Sequence, residues 1–175
     1  MSKLIKLGLL HPERLPSETR EELEQMSAAL QAVVKAASES TPSQQSSPTN
    51  PTGTTSLVGV MMGLNGSITP TLTGRVLMLL SGTLANATAI GNGATVQLRY
   101  GLGSAPANGA ALAGTAVGGV VQYIAATTTQ KAPVSLQALV SEFRLNTTYW
   151  VDVSLAAVVG GTATLTDISL TLLEV

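Results

Sequence analysis

The stretch Thr147-Thr148-Tyr149-Trp150-Val151-Asp152-Val153-Ser154-Leu155-Ala156-Ala157-Val158 sets Tyr149, Val151, Val153, Leu155 and Ala157 against Thr148, Trp150, Asp152, Ser154 and Ala156. Successive side chains of a strand point to opposite faces, so this alternation predicts a strand buried mainly on one side. On either side of it, weaker segments of the same kind fall at residues 57–62, 75–84, 94–100, 115–127, 132–140 and 163–175, with a short piece within 68–72. Turn chemistry separates them: Gly63-Leu64-Asn65-Gly66, Gly91-Asn92-Gly93, a long Gly/Ala/Pro loop over 101–114, and Gly160-Gly161. Short strands with no helical segment between them imply an antiparallel sandwich or barrel over residues 57–175.

Two segments break the alternation. In Val76-Leu77-Met78-Leu79-Leu80 and in Leu57-Val58-Gly59-Val60-Met61-Met62 both faces are apolar, and a second apolar face needs cover. Cover can come from a neighbouring subunit or from the N-terminal segment. The subunit is favoured, which makes Leu77, Leu79 and Met61 candidate interface residues. Tyr149 and Trp150 adjoin on opposite faces of one strand, so one belongs to the core and the other to a subunit interface or a ligand patch; the pattern leaves open which is which, and Trp150 is carried as an interface candidate.

Charge supports self-association. From residue 41 onward the basic residues are Arg75, Arg99, Lys131 and Arg144, and the acidic ones are Glu142, Asp152, Asp167 and Glu174. A neutral, charge-poor domain has neither the basic footprint that nucleic acid requires nor a polybasic patch for an anionic membrane. It also lacks the usual surface protection against association.

The first 56 residues read differently. Leu4, Ile5, Leu7, Leu9 and Leu10 form an apolar cluster ahead of Pro12 and Pro16, which prevent one continuous helix and leave a docked segment or a frayed end. Lys6 interrupts the cluster and His11-Pro12-Glu13-Arg14 follows it, so it is not read as an export signal. Ser17 reads as an N-cap, followed by Glu18, Glu21, Glu22 and Glu24 near the positive end of a helix dipole. Leu23, Met26, Leu30, Val33 and Ala37 are then spaced three, four, three and four, the pattern of a coiled-coil seam. About two and a half heptads are marginal alone, so the helix needs a tethered bundle, a partner groove or its own domain to pack on. Residues 40–56, rich in Pro, Ser and Thr, read as a flexible linker able to reach roughly 20 to 50 Å. The predicted order is therefore an anchor over 1–39, a linker over 40–56 and a β-domain over 57–175.

Chemistry-bearing constellations are scarce. There is no cysteine, and His11 is the single histidine, remote from the β-domain, which excludes a thiolate metal site and a Ser-His-Asp triad within that domain. Asp152, Asp167 and Glu142 are too far apart in sequence for a calcium loop and read as solvated face residues. Gly101-Leu102-Gly103 and Val117-Gly118-Gly119-Val120 do not lie between a strand and a helix, so they are loops or bulges rather than phosphate cradles. Asn65, Asn86 and Asn146 fit the glycosylation pattern but are read as turn residues. The expectation is a non-enzymatic protein with no cofactor and no metal.

Gly74-Arg75-Val76, Gln97-Leu98-Arg99-Tyr100-Gly101, Ala105-Pro106-Ala107-Asn108-Gly109 and Tyr149-Trp150-Val151-Asp152 together resemble the small jelly-roll heads of tailed-bacteriophage virion proteins. The resemblance covers about residues 57–175. It implies an all-β, tumour-necrosis-factor-like jelly roll that forms homotrimers, as in capsid decorations, head fibres and tail-fibre tips. With it the chain reads as a structural virion protein. The missing export signal places its synthesis in the host cytoplasm, and the order of apolar segment, helix, linker and head, with no family pattern in the first 56 residues, makes the N-terminal region its anchor to the major capsid protein or another virion protein. Leu4, Ile5, Leu7, Leu9, Leu10, Leu23, Met26, Leu30 and Val33 are the candidate partner-binding residues of that anchor. A tail-fibre or receptor-binding head that takes a host surface glycan is the alternative.

Overall fold

A computed structural model of the chain describes residues 17–38, 43–86 and 88–175, and the chain divides into two compact units, 1–40 and 41–175. In the first, α1 spans Ser17–Ser38, so the helix begins where the Ser17 signal places it. Within it, Leu23, Met26 and Leu30 are all exposed. Leu4, Ile5, Leu7, Leu9 and Leu10 lie outside the described residues, as does the Val33 side chain.

The second unit is a two-layer antiparallel β-sandwich of jelly-roll type. Its long strands are β4 (Val76–Ala85), β5 (Gly93–Leu102), β6 (Thr115–Ile124), β7 (Lys131–Val140), β8 (Tyr149–Val158) and β9 (Thr164–Glu174). Three short strands precede them: β1 (Ser43–Ser46), β2 (Val60–Met61) and β3 (Gly66–Ile68). One sheet has the order β1-β9-β4-β7; the other has the order β2-β8-β5-β6, with β3 also paired to β8. The chain therefore crosses between layers at β1–β2, β3–β4, β4–β5, β6–β7, β7–β8 and β8–β9, and the last strands pair with earlier ones far away in sequence. Inward residues of the two sheets make one core: Val76, Met78, Leu80 and Leu84 of β4 and Leu165, Leu170 and Leu172 of β9 face Val96 and Leu98 of β5 and Val151, Val153 and Leu155 of β8. At one end Phe143 stacks on Tyr149 with ring centroids 4.0 Å apart, and Tyr100 meets Phe143 edge-on at 4.8 Å.

The predicted glycine bulge is real. Val96 pairs with Val121 and Leu98 with Val117, so β6 carries two extra residues within Gly118-Gly119-Val120 opposite Gln97. Gly118 has φ +70°, and a Cβ there would come within 2.9 Å of the Gln137 carbonyl oxygen on β7, so glycine is needed both for the backbone and for close approach of the two layers. Asn65 and Asn146 sit at φ 55° and 56°, the left-handed region in which asparagine serves as a turn residue. Asn86 is fully buried and its amide donates to the Gly93 and Gly160 carbonyls, tying two loops at one end of the sandwich.

The segment expected to be a free linker is, from Ser43 onward, part of the sandwich. Ser43–Ser46 pairs with Leu170–Leu173 as an edge strand. Gln44 Oε1 accepts from Ser67 N, Asn50 Oδ1 from Asp167 N and Asn108 Oδ1 from Thr52 N, while Thr54 and Ala163 bridge through both backbone bonds. The composition that reads as disorder lacks apolar side chains, but an edge strand held by hydrogen bonds does not need them. Among the described residues, the sandwich thus includes 43–56 as well as 57–175.

Candidate interaction surfaces

β4 lies inside its sheet, so its two rows have different fates. Val76, Met78 and Leu80 point into the core; Leu77 is half-buried and Leu79 is 38% exposed on the outer face. The register sets Leu77 opposite Leu139 of β7 and Leu173 of β9. Leu79 stands opposite Gln137 and Thr171, and Ser81 opposite Ser135 and Ser169. The result is a row of three leucines followed by two rows of mainly hydroxyl and amide side chains, with no charge at any of these nine positions. Leu139 and Leu173 are not singled out by the strand alternation. Their signal is Ala138-Leu139-Val140 and Leu172-Leu173, apolar neighbours at the ends of otherwise alternating strands.

Met61 and Trp150 do not belong to such a surface, because the protein's own 103–114 loop covers them. Met61 N donates to Ala110 O and Gly109 N donates to Met61 O, both at 2.9 Å, so the loop runs alongside β2 and leaves Met61 0% exposed. The second apolar face of that strand is covered from within the subunit rather than by a neighbour. Trp150 is 5% exposed on the outer face of β8 and donates from Nε1 to Leu102 O at 3.1 Å. A Cβ on Gly101 or on Gly114 would collide with its indole ring, so Gly101 of β5 and Gly114 of the loop form the slot that the ring fills. Tyr149 is on the core side, and both aromatics are buried.

Asp152, expected on a solvated face, is likewise buried and only 1% exposed. Its carboxylate accepts from Gly63 N at 2.8 Å, Leu64 N at 3.1 Å and Val153 N at 2.7 Å, fixing the turn after β2. Burial pushes its carboxyl above the usual 3.8, against the pull of these backbone donors. Arg99 is its cross-strand neighbour, and the guanidinium donates to Ala113 O at 2.7 Å and Gly114 O at 2.9 Å, clamping the other end of the loop.

Beside this clamp lies an open cleft of about 160 Å³ whose floor includes Thr95, Gln97, Ser154 and Ala156. Val58, Leu112 and Val120 line its sides and Arg99 contributes to its wall. Hydroxyl and amide groups below apolar sides offer hydrogen bonds to a small hydroxylated ligand.

The remaining carboxylate of note is Glu174, 1% exposed. Its oxygens accept from four successive backbone amides, Thr71 N at 2.8 Å, Leu72 N at 2.9 Å, Thr73 N at 2.6 Å and Gly74 N at 2.9 Å. Burial by itself would raise its pKa, but the amides together override that and hold it at about 2. Nothing local in Leu173-Glu174-Val175 announces this cradle.

On the helix, Met26 and Leu30 are 66% and 57% exposed, and Leu23 lies on the same stripe. Among the described residues, then, the candidate surfaces are the leucine row, the cleft and this stripe.

No family model and no curated protein matches the chain. Solved structures that it is similar to include "Structure of Eiger TNF from S. frugiperda", at 10% identity over 77% of this chain and 85% of that one, with a TM-score of 0.36. Another is "PRD1 vertex protein P5", at 18% identity over 77% of this chain and 96% of that one, with a TM-score of 0.37.

Proposed function

We propose that the protein is a non-enzymatic structural component of a bacteriophage particle, a capsid decoration or head fibre whose jelly-roll heads associate as homotrimers. The observation that carries this reading is the outer face of the β1-β9-β4-β7 sheet, where Leu77, Leu79, Leu139 and Leu173 stand among Ser, Thr and Gln side chains. An uncharged face with a leucine row loses little when polar water contacts are given up and gains from burying the leucines against a sister subunit. Closed symmetry satisfies such a face without open-ended growth. The resemblance of the head to virion jelly rolls supports the particle as its setting, and the separate helical unit supports attachment through residues 1–39 to the major capsid protein or another virion protein.

Leu79→Asp is expected to yield folded monomers, because a charge enters an interface while the subunit core is untouched. An unpaired buried carboxylate costs roughly 2 to 4 kcal/mol per interface, enough to dissociate a trimer at micromolar concentration. Sedimentation checks it; a Leu79→Asp protein that stays trimeric removes this face from the interface. Deleting residues 1–39 is expected to leave the heads folded and trimeric while abolishing their incorporation into particles. Truncated heads that load at normal copy number would overturn the anchor.

The cleft favours a second reading, a tail-fibre or receptor-binding head whose Thr95, Gln97 and Ser154 contact a host glycan. Copy number per particle separates the two, since decoration requires many copies and a fibre tip few.

A further inference from the structure

We infer that α1 is the stalk of the trimer, its Leu23/Met26/Leu30 stripe packing on the same stripe of two sister copies as a parallel three-helix coil. The inference rests on the trimeric reading of the head and goes beyond it by giving this stripe one occupant. Three observations carry it. First, Leu23, Met26 and Leu30 are exposed on the helix, and Val33 and Ala37 continue their three-four spacing in the sequence. Second, the positions flanking this seam from Leu23 onward are Ser27, Ala29, Val34 and Ala36, all small or apolar. In the sequence, Glu24 and Lys35 take repeat positions away from the seam, and Arg20 and Glu22 take the flanking positions at its entrance. Slim, uncharged flanks let a third helix approach the seam, and leucine at one seam position with a β-branched residue at the next, the order of Leu30 and Val33, shifts a coil from two strands toward three or four.

Third, the leash is short. β1 is pinned to β9 through Ser43–Ser46, so only residues 39–42 separate it from the last helical residue, Ser38. Five peptide steps reach at most about 18 Å, against the roughly 50 Å open to a free seventeen-residue linker. Three helices bound this closely to one trimer meet at high effective concentration, which offsets the marginal stability of so short a coil. A distant groove would be poorly served by such a connection. Attachment to another protein then falls to Leu4, Ile5, Leu7, Leu9 and Leu10 ahead of the stalk.

The chain has no cysteine, so single cysteines in the full-length protein report helix contacts directly. Leu30→Cys and Met26→Cys, both on the seam, are compared with Ala28→Cys on the outer face, with mass measured by light scattering in parallel. Under mild oxidation either seam variant is expected to form disulfide-linked dimers at least about tenfold more than Ala28→Cys, with a yield unchanged by dilution because the pairs lie within one trimer. Equal, low yields at all three positions in a protein that is still trimeric would overturn the stalk and leave the trimeric head intact. A monomeric mass would overturn the trimeric reading, and the stalk with it.

Discussion

Val151→Asp should leave no stably folded head. Val151 is fully buried inside the sandwich, on the core-facing row of β8. Its strand pairs on one side with β5 and on the other with β3, where Val151 stands opposite Tyr100 and Gly66. The core around it is the hydrophobic cluster of the two sheets, Leu170 and Leu172 among it. A carboxylate there must be charged and unpaired or take up a proton, and it also forfeits the packing of the valine, a combined cost of about 5 kcal/mol or more. A domain of ordinary stability has roughly 5 to 15 kcal/mol to lose. Circular dichroism of the 41–175 head is expected to show either no cooperative transition or a Tm lower by at least about 15 °C. A smaller shift would mean that β8 is held mainly from its outer side, by Trp150 and Asp152. Ser154→Asp on that outer side, where the side chain is half-buried, should cost only a fraction as much.

Glu174→Gln is expected to remove much of the head's resistance to acid and about 3 kcal/mol of stability at neutral pH. The carboxylate is the common acceptor for four backbone amides of residues 71–74. Hydrogen bonds to a charged group contribute roughly 1.5 to 3 kcal/mol each before they compete for the same oxygens. A glutamine offers one carbonyl oxygen and turns its own NH2 toward donors. The sign of the pH effect follows from the lowered pKa. Glu174 titrates at about 2 in the folded protein against 4.5 normally, so its stabilisation is fully present above 4.5 and is lost as the pH falls toward 2. Denaturant titrations of parent and variant should therefore differ most above about pH 5 and converge near pH 2. Asp152 works in the opposite sense, since its pKa is raised and acid relieves the cost of its burial. It is common to both proteins and cancels in the difference. A gap between the two that did not shrink below about pH 4 would show that the cradle is held by packing rather than by the charge.

Local structure is legible in the residue order. Alternation in residues 147–158 is a property of each side chain and its neighbours two away, and it survives any tertiary arrangement, so β8 lies where the pattern puts it. The same holds for the β4 row, for the Gly118-Gly119 bulge, for the turns at Asn65 and Asn146, and for a helix with a Leu23/Met26/Leu30 stripe. Composition also makes the charge-poor character of the β-domain plain.

Which face covers which is a matter of tertiary contacts alone. Leu77 meets Leu139 and Leu173 because register brings together positions 62 and 96 residues apart, and no local period encodes a register. Met61 and Trp150 read as interface residues because a chain of Gly, Ala and Pro gives no hint that residues 103–114 fold back over them. Residues 43–54 read as a linker because hydrogen bonds to distant backbone leave no apolar trace in composition. Asp152 reads as solvated, and Glu174 draws no notice, for the same reason. A carboxylate is buried when several backbone amides converge on it, and that convergence exists only once the loops of residues 63–64 and 71–74 have been brought to β8 and β9.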